Sequence, residues 1–345
     1  MGSWRKRINT MERTISVLGA GMFGTAIANI LAENGQKILL WSRDERHAEL
    51  IKSTRENKKS LPGYRINDSV TPTSDLEECL RSCDVAFFSV PSGAFREVIR
   101  LARPYISGSA MVISTTKGIE PDGFLLMSEV IREELPDNPR GVLSGPNLAE
   151  EIVQKQITAT VIASESRQVT SVVQEILHTN YFRVYASEDT YGVELAGALK
   201  NIYAIAAGFA SALGVGQNTQ GMLLTRSLAE MSRFANIMGA NPLTFLGLAG
   251  VGDLMVTCGS PLSRNFQLGM FIGQGLSLDM ATEKLGRLAE GVNTVRTVKH
   301  KAAEMGVYMP IVTGLYSILF ESRSVESVIH DVMMSDQPDD VEFVL

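Results

Sequence analysis

The fold is decided by the stretch Ile15-Ser-Val-Leu-Gly19-Ala-Gly21-Met-Phe-Gly24. A short apolar run leads directly into a GxGxxG pattern, and a helix-like segment follows. In such a turn Gly19 permits the sharp change of direction, Gly21 lets the backbone approach a pyrophosphate, and Gly24 lets the helix pack closely. The new helix offers unpaired N–H groups and the positive end of its dipole to the phosphates. The stretch therefore predicts a dinucleotide-binding strand–turn–helix unit.

Around this unit, short β-branched runs alternate with amphipathic segments. Predicted strands cover 15–18, 38–41, 85–90, 111–114, 141–143, 158–162 and 182–185. Short apolar strands separated by helices indicate a mostly parallel sheet covered on both faces. This part of the sequence predicts an α/β Rossmann-like dinucleotide-binding domain over residues 14–189.

After about residue 190 the strand pattern vanishes. The chain becomes rich in Ala, Leu and Met, and helical spacing covers 192–208, 221–238, 265–272, 277–285, 292–304, 312–320 and 325–333. We therefore expect an all-helical C-terminal domain over residues 190–335.

Composition excludes several classes of protein. The 345 residues carry a net charge of −6, which argues against a broad nucleic-acid-binding surface. The three cysteines, Cys79, Cys83 and Cys258, form neither a disulfide framework nor a zinc motif, so we expect reduced thiols and no bound metal. The N-terminus lacks the apolar segment of a signal peptide. These features predict a cytoplasmic protein with no membrane partner.

The end of the second predicted strand bears on the choice between NAD and NADP. An NAD-specific site places Asp or Glu there to hold the ribose 2′-hydroxyl. Here Arg43 stands at about that position, followed by Asp44 and Glu45. A guanidinium can pair with the 2′-phosphate of NADP or stack on adenine. The alternative is a solvated arginine before a helix whose first turn carries the two acids. We expect NADP as cofactor, with NAD also possible.

Lys200 is the strongest candidate for a catalytic residue. It lies within an apolar helical segment, and Gly192 and Ala196 share its face at helical spacing. An ammonium group in such surroundings loses hydration, so its pKa should fall toward the range useful for proton exchange. The alternative is a lysine whose amine reaches the surface.

Other candidates lie at predicted strand ends and at a helix start. Lys117 follows one strand, at the edge where parallel sheets bind ligands. Ser263 is placed to cap a helix, which would put Arg264 at the helix N-terminus, where an anion is favoured. Asp253, taken alone, reads as an ordinary N-cap. Taken singly, each of these segments is also explained by loop and capping chemistry.

Together these segments resemble the NAD(P)-dependent glycerol-3-phosphate dehydrogenases, especially the bacterial type. The most specific pieces are Glu194-Leu-Ala-Gly-Ala-Leu-Lys200-Asn, and Gly252-Asp-Leu-x-x-Thr followed by Ser263-Arg-Asn. The resemblance runs from about residue 14 to about residue 333. It implies reversible hydride transfer between NAD(P)H and dihydroxyacetone phosphate, which supplies sn-glycerol 3-phosphate for phospholipid synthesis.

The resemblance also implies roles for individual residues. Lys200 matches the general acid/base, and Lys117 matches a lysine that contacts substrate and cofactor. Substrate-contacting positions fall on Gly145, Asn147, Asp253, Ser263, Arg264 and Asn265. Cofactor-contacting positions, besides the glycines of the turn, fall on Met22, Phe23, Arg43, Ala149, Arg264, Leu288 and Glu290. The chain departs from the family pattern at Met22-Phe23, often Ser-Trp, and at Asn147, often Ser or Thr, where an amide can still donate a hydrogen bond.

Two other functions fit the same outline. A β-hydroxyacid or 6-phosphogluconate-type dehydrogenase also joins a Rossmann domain to helices and uses a lysine, but the Ser263-Arg264-Asn265 block favours the glycerol phosphate enzyme. A dinucleotide sensor without catalysis has no use for a catalytically placed lysine. The sequence does not fix the oligomeric state, for which a homodimer is one option.

Overall fold

The strands lie in the N-terminal half of the chain. The computed structural model describes residues 12–120, 123–286 and 288–334. Its strands are β1 (Thr14–Leu18), β2 (Lys37–Trp41), β3 (Glu56–Asn57), β4 (Leu61–Arg65), β5 (Val70–Thr73), β6 (Val85–Phe88), β7 (Met111–Ser114), β8 (Ile119–Glu120), β9 (Leu125–Leu126), β10 (Arg140–Ser144), β11 (Thr158–Ala163) and β12 (Phe182–Ser187).

Seven helices alternate with these strands, and eight follow them in the part that the structure describes. The first group is α1 (Met22–Glu33), α2 (Glu45–Thr54), α3 (Leu76–Leu80), α4 (Ser92–Ala102), α5 (Met127–Glu134), α6 (Ala149–Val153) and α7 (Arg167–Leu177). The second is α8 (Thr190–Ala212), α9 (Gln217–Ile237), α10 (Asp253–Gly259), α11 (Arg264–Gly273), α12 (Leu278–Leu285), α13 (Glu290–Met305), α14 (Pro310–Phe320) and α15 (Val325–Met334).

Eight strands form one sheet in the order β12-β11-β10-β7-β6-β1-β2-β5. The six strands from β10 to β5 run parallel, whereas β11 is antiparallel to β10. The chain moves outward from β1 to β2 and β5 and then crosses to β6, on the other side of β1. Ligands bind outside the carboxyl ends of the strands at such a switch point. The predicted Rossmann-like sheet followed by helices is confirmed.

The β1–α1 turn depends on its glycines. Gly19 has φ +115°, and a Cβ there would lie 2.5 Å from the Ser89 carbonyl oxygen. A Cβ at Gly24 would collide with the Gly19 carbonyl oxygen, so this glycine allows the helix to close on the turn itself. Any side chain at Gly19 or Gly24 would therefore force the first turn of α1 away from the sheet.

The structure corrects several predicted boundaries. The strand predicted over 85–90 ends at Phe88, because Pro91 lacks an N–H group and instead precedes α4 as its N-cap. Strand β5 was not predicted, since it contains Pro72, but it lies at the edge of the sheet, where proline is tolerated. The two small hairpins, β3–β4 and β8–β9, were also missed, because β3, β8 and β9 have two residues each and β4 contains Pro62 and Gly63, which are unusual inside a strand.

Helix α8 is the central element of the helical part. Its length and composition alone would allow it to cross a membrane, but 72% of its most apolar window is buried inside the protein. Helices α10, α11 and α13 pack against it, and one apolar cluster encloses it. A helix that is apolar on all sides is expected at the centre of such a core. Lys200 lies in the middle of this buried helix.

Candidate active site

Two lysines share one buried carboxylate. Asp253 is 1% exposed, and its Oδ2 accepts a hydrogen bond of 2.5 Å from Lys117 Nζ, whereas its Oδ1 accepts from Lys200 Nζ. The Lys117 amine also donates to the Gly145 carbonyl oxygen at 3.0 Å. The Lys200 amine donates to Thr257 Oγ1 at 2.6 Å. The structure thus brings together four of the predicted site residues: Lys117, Lys200, Asp253 and Gly145.

This site lies where the sheet meets the helical part. Lys117 follows β7 and Gly145 follows β10, and both strands run parallel, so both residues lie at the carboxyl edge of the sheet. Hydroxyl groups hold the loop of Lys117 in place, because Thr115 donates to Ser89 Oγ and Thr116 donates to the Val90 carbonyl oxygen. The amine of Lys117 thus points from the sheet edge toward α8 and α10.

Burial sets the protonation of Lys200. Its side chain is 8% exposed, and burial lowers its pKa from 10.5 to about 8. The Asp253 carboxylate opposes this shift, and the positive charge of Lys117 adds to it. The amine is therefore charged at neutral pH but close to the range in which it can exchange a proton. The alternative of an amine reaching the surface is wrong for Lys200.

Two findings at this site differ from the sequence analysis. Asp253 does not cap α10, because Gly252 occupies the N-cap and Asp253 is the first helical residue, with its carboxylate directed at the lysines. Thr257, the last residue of the Gly252-Asp-Leu-x-x-Thr motif, was given no role, although it bridges Lys200 Nζ and Asp253 Oδ1. The signal was available, because residues four apart in a helix lie on the same face.

Arg264 begins α11 beside the helix that carries Lys200. Ser263 is the N-cap, as predicted, and accepts a hydrogen bond from the Phe266 N–H at 3.3 Å. Arg264 is half-buried, and its Nη1 is buried without a hydrogen-bond partner in the part of the chain that the structure describes. A buried donor without a partner costs free energy, so Arg264 is ready for an anionic ligand.

Asn265 connects α11 to two neighbouring helices. Its Nδ2 donates to Asn201 Oδ1 at 3.0 Å, and its Oδ1 accepts from the Gly291 N–H at 2.9 Å. Asn201 directly follows Lys200, so this bridge places the start of α11 next to the Lys200 site. Asn265 Nδ2 makes this one hydrogen bond among the described residues, so its second N–H has no partner there.

The loop after β10 carries Asn147. Its Nδ2 donates to Thr160 Oγ1 at 2.8 Å, and its Oδ1 is buried with no partner among the described residues. From the sequence, an amide at this position can still donate a hydrogen bond to the substrate. In the structure one N–H of the Asn147 amide already donates to Thr160, and the amide oxygen is the atom that lacks a partner.

The start of α1 fits a dinucleotide pyrophosphate. Gly21 occupies the N-cap, no side chain caps this helix, and a Cβ at Gly21 would meet no atom within 4 Å. Met22 is 43% exposed beside this space, whereas Phe23 packs against the core of the sheet. Ala149 is buried at the start of α6, which contacts α1. Open space at an uncapped helix N-terminus is what an approaching phosphate requires.

Arg43 lies at the same edge, two residues after β2. It is exposed, and it makes no hydrogen bond or ion pair with any residue of 12–120, 123–286 or 288–334. Asp44 is the N-cap of α2 and accepts from the Arg46 and His47 N–H groups, so its carboxylate is not directed at a ribose. Among the described residues, Arg43 therefore stands at the end of β2 where an NAD-specific site would place an acidic side chain for the ribose.

Glu290 joins the two parts across the edge of the sheet. Its carboxylate accepts from the Ser92 N–H at 3.2 Å and from Ser92 Oγ at 2.7 Å. Gly118, next to Lys117, leaves room for this contact, because a Cβ there would lie 2.8 Å from Glu290 Oε2. Leu288, nearby in the chain, is 41% exposed. Ser92 was not singled out as a site residue.

Comparison with known proteins agrees with this geometry. Residues 14–170 match the family model for the N-terminus of NAD-dependent glycerol-3-phosphate dehydrogenase, and residues 189–330 match the model for its C-terminus. The chain belongs to this family. The predicted resemblance to NAD(P)-dependent glycerol-3-phosphate dehydrogenases is thereby confirmed, and with it the assignment to the oxidoreductases.

Relatives named glycerol-3-phosphate dehydrogenase (NAD(P)+) cover almost the whole chain. One from Pseudomonas fluorescens is 55% identical and aligns with 97% of this chain and 94% of its own. One from Teredinibacter turnerae is 55% identical over 96% of this chain and 98% of its own. The crystal structure of glycerol-3-phosphate dehydrogenase from Coxiella burnetii has a TM-score of 0.90 at 35% identity, and covers 94% of this chain and 99% of its own.

Proposed function

We propose that this protein catalyses reversible hydride transfer between NAD(P)H and C2 of dihydroxyacetone phosphate, with sn-glycerol 3-phosphate as product. The observation that carries the proposal is the buried Lys117–Asp253–Lys200 cluster at the carboxyl edge of a dinucleotide-binding sheet. Two amines held on one carboxylate give a ketone oxygen both a positive environment and a proton. Neither the β-hydroxyacid dehydrogenase nor the sensor accounts as well for Arg264 beside this cluster.

Lys200 is the proton donor in this mechanism. When the carbonyl carbon gains a hydride, negative charge develops on its oxygen, and a positioned acid lowers the barrier by neutralising it. The Lys200 ammonium gives its proton to that oxygen, and in the reverse direction the neutral amine removes it. Asp253 and Thr257 fix the direction of the amine. Lys117 supplies a second positive charge next to the same oxygen.

Arg264 holds the phosphate of the substrate. Its buried, unpartnered Nη1 donates to one phosphate oxygen, and the first N–H groups of α11 face the same anion. Ser263 keeps its hydroxyl proton for the ligand, because its oxygen serves as the cap acceptor. The basic groups thus converge in one cleft of a protein whose net charge is −6.

The cofactor supplies the hydride when it is bound. The first turn of α1 with Gly19, Gly21 and Gly24 would hold its pyrophosphate, and Met22, Phe23 and Ala149 would line the same region. Arg43 would meet the ribose, where a guanidinium tolerates or pairs with a 2′-phosphate. Lys117, Arg264, Leu288 and Glu290 would surround the end of the cofactor that meets the substrate.

The test is a substrate screen with the purified protein. NADPH or NADH is mixed with dihydroxyacetone phosphate, a β-keto acid or no ketone, and nicotinamide absorbance is followed. We expect oxidation of the cofactor only with dihydroxyacetone phosphate, and loss of at least roughly 10²-fold in turnover for Lys200→Ala. Cofactor binding without turnover would favour the sensor, and turnover of the β-keto acid would favour the other dehydrogenase class.

Several further assignments extend this proposal. We infer a cytoplasmic enzyme that supplies glycerol 3-phosphate for phospholipid synthesis, without nucleic-acid or membrane partners. A homodimer is one option for its assembly. The dinucleotide-binding domain is taken to span 14–189 and the helical domain 190–335; the last residue of that range lies outside the described residues.

A further inference from the structure

A buried carboxylate outside the catalytic cluster joins the two parts of the chain. Glu194 on α8 is 1% exposed and accepts three hydrogen bonds from one residue at the start of α5. The Ser128 N–H donates to Oε1 at 3.0 Å and to Oε2 at 3.2 Å, and Ser128 Oγ donates to Oε2 at 2.5 Å. Glu194 therefore caps the N-terminus of α5 from another helix.

A short path leads from this contact to Lys117. Helix α5 begins directly after β9, and in the β8–β9 hairpin Leu126 pairs with Ile119, two residues after Lys117. The hairpin does not belong to the core of the sheet. Ile119, Phe124 and Leu126 are buried in the apolar cluster around α8. The segment after Lys117 is thus anchored in the helical part.

Glu194 and Lys200 belong to the same helix, six residues apart, so about 9 Å separates them along its axis. Asp253 and Thr257 also stay with α8, because α10 packs against it. Lys117 reaches the cluster from the sheet side, together with the Gly145 carbonyl oxygen to which its amine donates. Its distance from Lys200 therefore depends in part on how the hairpin and α5 are docked on α8.

We propose that Glu194 is a positioning residue, which docks the α5 start on α8 and thereby holds the Lys117 amine next to Lys200. The inference rests on the proposed function for its effect on turnover, but the docking itself is a property of this chain. A carboxylate suits the task because it accepts from both the N–H and the hydroxyl of Ser128, whereas a carboxamide presents one oxygen.

The structure offers a matched control. Glu230 on α9 is also fully buried and also caps a helix from outside, accepting from the Ile311 and Val312 N–H groups at the start of α14 and from the Tyr203 hydroxyl. Burial raises the pKa of both Glu194 and Glu230 to about 7. Glu230, however, connects helices within the helical part. Glu194→Gln and Glu230→Gln are therefore chemically equivalent changes. Of the two, only Glu194→Gln alters the contact between α5 and α8.

The experiment measures the titration of Lys200 without substrate. The rate at which an amine reagent modifies Lys200 is followed against pH by peptide mass spectrometry. In the wild type the charge of Lys117 helps to lower the pKa of Lys200. Glu194→Gln should let Lys117 move away, so the Lys200 titration should shift upward by about one pH unit. Glu230→Gln should leave it where the wild type has it.

Turnover gives the second measurement. Glu194→Gln should lower kcat/KM for dihydroxyacetone phosphate by roughly ten- to hundredfold, as expected for a displaced catalytic group, and Glu230→Gln by less than about threefold. If Glu194→Gln does not fold, Ser128→Ala removes one donor and carries the same comparison. An unchanged Lys200 titration in the variant overturns the inference. Lack of turnover by the wild type would instead refute the proposed function, and the labelling result would still stand.

Discussion

Replacing Asp253 by Asn would test how the two lysines are tuned. The carboxylate is 1% exposed and holds both amines, and it raises the pKa of Lys200 against the effect of burial. An opposite charge in contact is worth roughly 1–3 pKa units. Starting from about 8, the pKa of Lys200 in Asp253→Asn should fall to between about 5 and 7. At neutral pH at least about half of the amine would then be uncharged.

The assay is the pH profile of kcat/KM in both directions. Ketone reduction needs the protonated amine, so it declines as pH rises through the pKa of Lys200. In Asp253→Asn this decline should occur at lower pH by the same 1–3 units, roughly, and acidification should restore part of the rate. Oxidation of glycerol 3-phosphate uses the neutral amine and should lose its requirement for alkaline pH.

Lys117→Met provides the opposite control. The charge of Lys117 lowers the pKa of Lys200, so its removal should move the decline to higher pH. Shifts of the same sign in Asp253→Asn and Lys117→Met, or no shift in either, would refute the electrostatic account of the cluster. Both variants retain Lys200, so loss of the proton donor cannot explain the difference.

The same substitution affects stability with a defined pH dependence. Removing one partner of a buried ion pair costs about 3–5 kcal/mol, because a charge is left buried. The folded variant would release the Lys200 proton at lower pH, while the unfolded chain keeps it to about 10.5. The unfolded state then binds more protons over that window, so the free energy of unfolding should rise with pH there. Urea titrations at pH 6 and pH 9, roughly spanning that window, measure this.

Three other outcomes are expected. Arg264→Ala should lower kcat/KM for dihydroxyacetone phosphate by roughly ten- to a hundredfold, with partial recovery in Arg264→Lys and a much smaller loss on unphosphorylated dihydroxyacetone; equal losses on both ketones would show that Arg264 does not hold the phosphate. Arg43→Asp should shift preference from NADPH toward NADH, and an unchanged ratio of the two kcat/KM values would contradict a role at the ribose. Burial raises the pKa of Glu230 to about 7, so the free energy of unfolding of the wild type should fall as pH rises from about 4.5 to about 7, by up to roughly 3 kcal/mol for this group. Glu230→Gln should lack that part of the pH dependence, and urea titrations of both proteins measure it.

Much of the site was predictable because it depends on local sequence. The β1–α1 turn needs glycine at defined positions, whatever surrounds it, so Gly19, Gly21 and Gly24 are visible in the sequence. The Ser263 cap is equally local, since its hydroxyl bonds to an N–H three residues later. The order of strands and helices follows from hydrophobic period, which also predicted the sheet and the helical part.

Contacts between distant residues could not be read in this way. Asp253 has the sequence pattern of a helix cap, and only the packing of α10 on α8 directs its carboxylate at Lys200 and Lys117. Glu194 and Ser128 lie 66 positions apart, and the hairpin beside them contains two-residue strands with no detectable period. The sequence by itself determined the dinucleotide turn, the two-part architecture and the identity of the candidate lysine. The tertiary structure alone decided which charges meet in the buried cleft, because burial and distance, which set the pKa of Lys200, arise only when the sheet edge and the helices pack together.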